Sequence, residues 1–420
     1  MSKFIIEGGK ELSGEITISG AKNSALKILA ASILSGKTSI IHNVPDIIDI
    51  SKMENLLRHI GAEVEVDNNS VTANPAKIHT SSLDPDLTKK IRASIVLVGP
   101  LLAKFGNATI TEPGGCLIGT RSIDDHIDLF KQFGVKVEQR GDNYIFTGKP
   151  KATEIILSKM SVSATENAIM SSVFSEGRTI IRVAAAEPEI ADLANYLNSM
   201  GAKISGAGTH DIEVEGVASL NGTEYTVLTD RVEAATYIMA AVITNSVLTI
   251  GPIVPNHLSI VLAKLKKSGA KFAFFTKNNQ IYIQTKRHQG ISAVDIDTRT
   301  YPGFPTDLQS VYAVLMTQAK GEAKIFETLF ESRFGYIEEL KRMNADIEVI
   351  SPHIIEIHGP VDLKPADIDA FDIRGGSALV LAALAAKGRT EIDHAEMIER
   401  GYEKMDQKLK KVGCKIQRIA

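Results

Sequence analysis

The residues best equipped for chemistry lie in Thr111-Glu112-Pro113-Gly114-Gly115-Cys116-Leu117-Ile118-Gly119-Thr120-Arg121. Pro-Gly-Gly neither continues a strand nor starts a stable helix, so the stretch reads as a turn. Cys116 is one of two cysteines in the chain, and Arg121 follows five residues later. A thiol becomes an acid or a nucleophile when cations lower its pKa and the backbone around it is accessible. The glycines admit backbone shapes that would let such a loop close over a ligand. The same residues also fit a surface hairpin carrying an idle cysteine.

Cations recur at other turns. Gly20-Ala21-Lys22-Asn23 puts a lysine and an amide at the first turn of an apolar helix, where free N–H groups already favour an anion. Ile91 holds the matching place further on, flanked by Lys89, Lys90 and Arg92. Asp372-Ile373-Arg374-Gly375-Gly376 repeats the pattern, and Arg333, Arg400 and Arg121 stand at strand-to-helix turns. Each arginine alone fits a solvated turn. Together they suit a substrate with both phosphate and carboxylate, since Arg grips either bidentately and Lys adds a point charge.

Asp307, in Tyr301-Pro302-Gly303-Phe304-Pro305-Thr306-Asp307, reads first as a helix cap and second as a positioned proton acceptor. Asp124, Asp125 and His126 invite a metal, but Ser122-Ile123-Asp124-Asp125 is a helix-start pattern with no second ligand cluster. No metal site is expected.

These turns belong to a repeated unit. Six times a helix ends in Gly, or once Asn, and runs into a strand: at Gly61, Gly134, Gly201, Gly269, Asn344 and Gly413. Such a residue takes the left-handed conformation that stops a helix. The spacing is on the order of 70 residues, larger than a solenoid repeat. Each copy also carries an earlier helix apolar nearly all round, expected to be buried, and a more charged second helix expected outside. The α/β organisation that follows is two lobes of three copies each: 22–229, carrying the Cys116 loop, and 1–21 with 230–420.

Composition bounds the function. The 420 residues, 44% hydrophobic and 23% charged, are those of a globular protein of at least two domains. A net charge of −3 and the absence of Trp argue against nucleic acid or anionic membranes as partners. Glu7 interrupts the N-terminal apolar stretch, so no signal peptide is read there. Two cysteines fit a reducing compartment, and a cytoplasmic location is expected.

The motifs Gly20-Ala21-Lys22-Asn23, Pro113-Gly114-Gly115-Cys116, Ile118-Gly119 with Arg121, and Tyr301 to Asp307 resemble the UDP-N-acetylglucosamine enolpyruvyl transferases of the EPSP synthase superfamily. Phe330-Glu331, Arg333-Phe334, Asp372 with Arg374, and Arg400-Gly401-Tyr402-Glu403 extend the resemblance over essentially the whole chain. It implies a two-lobe inside-out α/β barrel built from six βαβαββ-type repeats, with the active site in the cleft. The implied reaction opens peptidoglycan synthesis, and through it serves cell-wall biogenesis, cell shape and division. The enolpyruvyl group of phosphoenolpyruvate passes to the 3-hydroxyl of UDP-GlcNAc with release of phosphate. No cofactor is implied.

By the same resemblance Lys22, Arg121 and Arg400 hold the phosphate, Arg333 and Arg374 the carboxylate, and Lys22-Asn23 is the phosphoenolpyruvate-binding pair. Cys116 is implied as the general acid and the group alkylated by fosfomycin, and Asp307 as the base for the sugar hydroxyl. Arg92, Arg121, Ser122, Ile123, Asp124, Asp125, Lys159, Met160, Ser161, Val162 and Leu329 align with nucleotide-sugar contacts. The chain departs from the family pattern at Ser122, Asp125, Ser163, Ser332, Phe371 and Glu399. Two rivals remain: a sister enzyme acting on shikimate 3-phosphate, against which the Cys116 loop argues, and a silent nucleotide-sugar-binding paralogue.

Overall fold

The computed structural model describes residues 2–115, 119 and 122–419. The chain divides into two compact units. Of the described residues, a central unit takes 20–115 and 122–228, and a terminal unit takes 2–19, 119 and 229–419.

All six predicted helix stops are present. Gly61, Gly134, Gly201, Gly269, Asn344 and Gly413 all have positive φ, between 71° and 104°. Each opens onto a strand: Glu63–Asp67, Lys136–Arg140, Lys203–Ser205, Lys271–Lys277, Asp346–Ser351 and Lys415–Ile419. Each of these strands lies in its own sheet, giving six small sheets, three to a unit, five of them mixed and the one holding Lys136–Arg140 antiparallel.

One copy serves for all. Ile296–Asp297 leads into the buried helix Gln309–Thr317, then Gly321–Phe326, the outer helix Ile337–Arg342, and the hairpin Asp346–Ser351 with Ile354–Gly359. This is βαβαββ. The first strand pairs parallel with the second, which a helical crossover permits, and the hairpin adds antiparallel strands. The second copy departs. Its parallel edge shrinks to a single bridge between Ser82 and Thr109, because Asp84 and Pro85 turn the chain at once into Pro85–Thr88.

In the terminal unit Arg231–Ile243, Gln309–Thr317 and Ile373–Ala385 pack on one another and bury nearly every residue. Their Ala, Val, Leu, Ile and Met side chains leave no polar stripe to face water. In the central unit Lys22–Ala31 and Val162–Ser172 play this part, with a third helix that is interrupted. Residues Arg92–Leu97 form a 3-10 run and α-helix restarts at Val98–Phe105, since Pro100 has no N–H to continue an earlier ladder. The expectation that second helices lie outside fails in the third copy. Pro188–Ser199 buries eight of its twelve residues, Glu189 and Asp192 included.

Candidate active site

Each unit carries its own set of the predicted residues. In the central unit Lys22 begins the helix Lys22–Ala31, whose preceding residue Ala21 offers no side-chain cap. The Lys22 Nζ is buried and lies 2.8 Å from Asp49 Oδ2, on the first turn of Ile48–Ile60. Asn23 is half-buried, and its carbonyl accepts from Lys27 Nζ at 3.1 Å. Lys27 reaches Glu166 Oε1 at 3.4 Å. Burial pushes the Glu166 carboxyl up to about 7 although Lys27 opposes the shift, with Glu189 and Glu187 adding to it.

The arginine and the Pro-Gly-Gly turn meet. Arg92 Nη1 donates to the Pro113 carbonyl at 3.3 Å and Nη2 to the Ser122 carbonyl at 2.9 Å, so one guanidinium ties both flanks of the cysteine loop. A Cβ at Gly114 would stand 1.8 Å from the Lys89 carbonyl oxygen, which is why glycine is required there. Lys89 itself turns away to Asp142 at 3.5 Å. Cys116 and Arg121 lie outside the described residues.

The nucleotide-sugar candidates form a second group in this unit. Asp125 Oδ2 pairs with Lys159 Nζ at 2.8 Å, and Oδ1 accepts from Ser158 Oγ at 3.1 Å. Ser122 Oγ accepts from the Asp124 N–H at 3.2 Å and donates to Asp124 Oδ2 at 2.8 Å. Ile123 is buried beneath that turn. Ser161 caps Val162–Ser172 through the Ala164 N–H, with Met160 and Val162 half-buried beside it. His126 points inward. Its Nδ1 accepts from Asn167 Nδ2 at 3.0 Å and its Nε2 meets Ser163 Oγ at 3.1 Å. Burial, with Arg92 nearby, pushes its pKa down to about 3, so the ring is neutral.

In the terminal unit Asp307 is no helix cap. The helix Gln309–Thr317 begins after a 3-10 turn, Thr306–Leu308, and neither has a side-chain cap. The Asp307 carboxylate instead joins Arg333 Nη2 at 2.5 Å to Arg374 Nη2 at 2.9 Å. Leaving two buried guanidiniums without a carboxylate would cost more than a single helix-cap bond returns. The cap pattern was locally right and globally outweighed.

Burial alone would push the Arg374 guanidinium down, yet Asp307, Tyr402 and Asp230 raise it overall, so its charge is fixed. Arg374 stacks over the Tyr402 ring at 5.4 Å and Arg333 over Phe330 at 5.6 Å. Asp372 caps the last buried helix, accepting from the Arg374 and Gly375 N–H groups at 2.8 and 2.9 Å, so those donors are already taken. Half-buried Arg400 adjoins this cluster: a Cβ on Gly401 would lie 2.5 Å from Ile373 and 3.7 Å from Arg374 Nη1. Leu329 is exposed, with its N–H held by Glu327 Oε1 at 2.9 Å.

A sequence model of the EPSP synthase (3-phosphoshikimate 1-carboxyvinyltransferase) family matches residues 6–409. The UDP-N-acetylglucosamine 1-carboxyvinyltransferase of Halothermothrix orenii is 43% identical over 420 residues, 100% of either chain. That of Methylacidiphilum infernorum is 44% identical over 423 residues, 100% of this chain and 99% of its own. The chain belongs to the UDP-N-acetylglucosamine 1-carboxyvinyltransferase family. The enolpyruvyl transferase NikO from Streptomyces tendae matches its fold with a TM-score of 0.89 at 24% identity, over 99% of this chain and 98% of that one. EPSP synthase from Acinetobacter baumannii matches at 0.77 and 17%, over 100% of both. At those identities the likeness is one of fold.

Three partners in this family member carried no sequence signal. Asp49, Glu166 and Glu327 sit in stretches that read as ordinary helix or strand ends, and only the tertiary structure brings them to Lys22, Lys27 and Thr306. Among the described residues no helix is long and apolar enough to cross a membrane.

Proposed function

We propose that the chain transfers the enolpyruvyl group of phosphoenolpyruvate to the 3-hydroxyl of UDP-N-acetylglucosamine and releases phosphate, the first committed step of peptidoglycan synthesis. The observation that carries the reading is full-length identity of about 43% to proteins of that name. The paired Arg333 and Arg374 around Asp307 agree with it.

In this reading Lys22, Arg121 and Arg400 take the phosphate, with Asn23 beside Lys22, while Arg333 and Arg374 take the carboxylate. The sugar oxygen forms a bond to the central carbon as Asp307 accepts its proton and Cys116 gives one to the methylene carbon. Loss of a methyl proton with phosphate then restores the double bond. Fixed cations stabilise the tetrahedral intermediate without reorganising solvent. Cys116 is also the group fosfomycin would alkylate. Arg92, Arg121 to Asp125, Lys159 to Val162 and Leu329 hold the nucleotide sugar. In this reading the reaction takes place in the cytoplasm and serves wall growth and division.

Phosphate release on mixing the protein with phosphoenolpyruvate and UDP-GlcNAc tests the proposal. Turnover with shikimate 3-phosphate instead would assign the sister activity, and sugar binding without turnover a silent paralogue. Cys116→Ser turning over at the parent rate would remove the acid role alone.

A further inference from the structure

Glu327 follows the strand Gly321–Phe326 in the terminal unit, and no part of it reaches solvent. Its Oε1 accepts from Thr298 Oγ1 at 2.9 Å, the Leu329 N–H at 2.9 Å and the Phe330 N–H at 3.3 Å. Its Oε2 accepts from Thr306 Oγ1 at 2.7 Å. The Glu327 backbone is fixed as well: its N–H donates to the His353 carbonyl at 2.8 Å and its carbonyl accepts from His353 Nδ1 at 2.7 Å.

Four donors thus converge on one buried carboxylate, the arrangement that makes such burial tolerable. Three of them come from two segments with separate duties, and the fourth is Thr298. Thr306 immediately precedes Asp307. Leu329 and Phe330 lead into the turn that carries Arg333, and the Phe330 ring lies under its guanidinium. No regular hydrogen-bond ladder holds Leu329 and Phe330, and Thr306 opens only a single 3-10 turn, Thr306–Leu308.

We propose that Glu327 is a positioning residue for the transfer, setting Asp307 through Thr306 and Arg333 through the Leu329 and Phe330 amides. The inference rests on the reaction proposed above. A carboxylate suits the place because every partner is a donor. An amide there would turn an NH2 toward at least one of them.

Glu327→Gln should lower kcat roughly tenfold or more while the KM values for phosphoenolpyruvate and UDP-GlcNAc stay within about threefold, because misplacing reacting groups costs rate before binding. Thr306→Val, which removes only the Oε2 partner, should lower kcat in the same way, and Thr306→Ser should restore it. The Thr306 pair decides the matter if Glu327→Gln does not fold, as judged by circular dichroism. A kcat within twofold of the parent in Glu327→Gln and Thr306→Val, or a loss confined to KM, overturns the proposal. If the parent releases no phosphate, the reaction reading has failed and this inference falls with it. If the parent turns over and the variants match it, only the positioning role is lost.

Discussion

Asp307 places one carboxylate oxygen 2.5 Å from Arg333 and the other 2.9 Å from Arg374. A single carboxylate therefore pairs with two cations whose side chains are only 6% and 8% exposed, leaving the trio one positive charge in excess. Asp307→Ala leaves both unpaired and should cost about 3 kcal/mol, the lower end for a broken buried pair because Asp307 itself is 28% exposed. Asp307→Asn keeps the shape and should lose less stability. Both should lose kcat by roughly a hundredfold or more if Asp307 is the base. Urea unfolding alongside steady-state kinetics checks this, and an Asn variant with parental kcat would dismiss the base.

Lys22 makes a different kind of pair. Its Nζ leans on Asp49 at 2.8 Å, which Lys52 also approaches at 3.6 Å. A contact to a charged group is worth about 1.5–3 kcal/mol, so Lys22→Met should raise the phosphoenolpyruvate KM roughly tenfold or more. Kinetics at saturating UDP-GlcNAc measure it. An unchanged KM would take Lys22 out of the phosphate site.

Two buried groups give stability opposite dependences on pH. Glu166 has its folded pKa raised to about 7 from 4.5, so the folded state binds more protons across that window. Its contribution is present below 4.5 and is lost as pH rises through 7. His126 is lowered to about 3 from 6.5, so its contribution is present above 6.5 and is lost as pH falls through 3. The stability difference between parent and Glu166→Gln should therefore fall from pH 4.5 to 7, and that between parent and His126→Asn should rise from pH 3 to 6.5. Urea midpoints across pH read both, and a flat difference curve would refute the corresponding shift.

The helix stops allow backbone strain to be separated from crowding. Gly201 and Gly61 share a φ of 104°, but a Cβ on Gly201 would meet nothing within 4 Å. On Gly61 it would lie 2.5 Å from the Lys77 carbonyl oxygen. Gly201→Ala should cost about 1–2 kcal/mol, the left-handed penalty alone. Gly61→Ala should cost measurably more by thermal or urea unfolding. Equal losses would mean that the Lys77 segment yields freely.

What could be read from the sequence divides by range. The six helix stops were legible because a left-handed residue between an apolar helix and a strand is a local necessity, visible at Asn344 as well as at the glycines. The buried helices showed themselves by composition. Asp307 misled because an Asp before a helix looks the same whether it caps the helix or reaches arginines 26 and 67 residues away. Pro188–Ser199 misled for a related reason: its acids implied an outer face, whereas Asp192 is satisfied inside by Ser24, Tyr225 and the Leu228 N–H. Glu327 had no signature, since its partners are two hydroxyls and two amides that any sequence supplies.

The strand Lys3–Glu7 pairs antiparallel with Arg389–Asp393 on one side and Lys415–Ile419 on the other. During synthesis, which proceeds from the N-terminus, that strand waits for both partners until residues 389–393 and 415–419 have been added. The central unit draws only on residues between Gly20 and Leu228 and faces no such wait. The terminal unit is therefore completed after the central one although part of it is made earlier, and until residues 389–393 and 415–419 arrive Lys3–Glu7 has both strand edges unpaired.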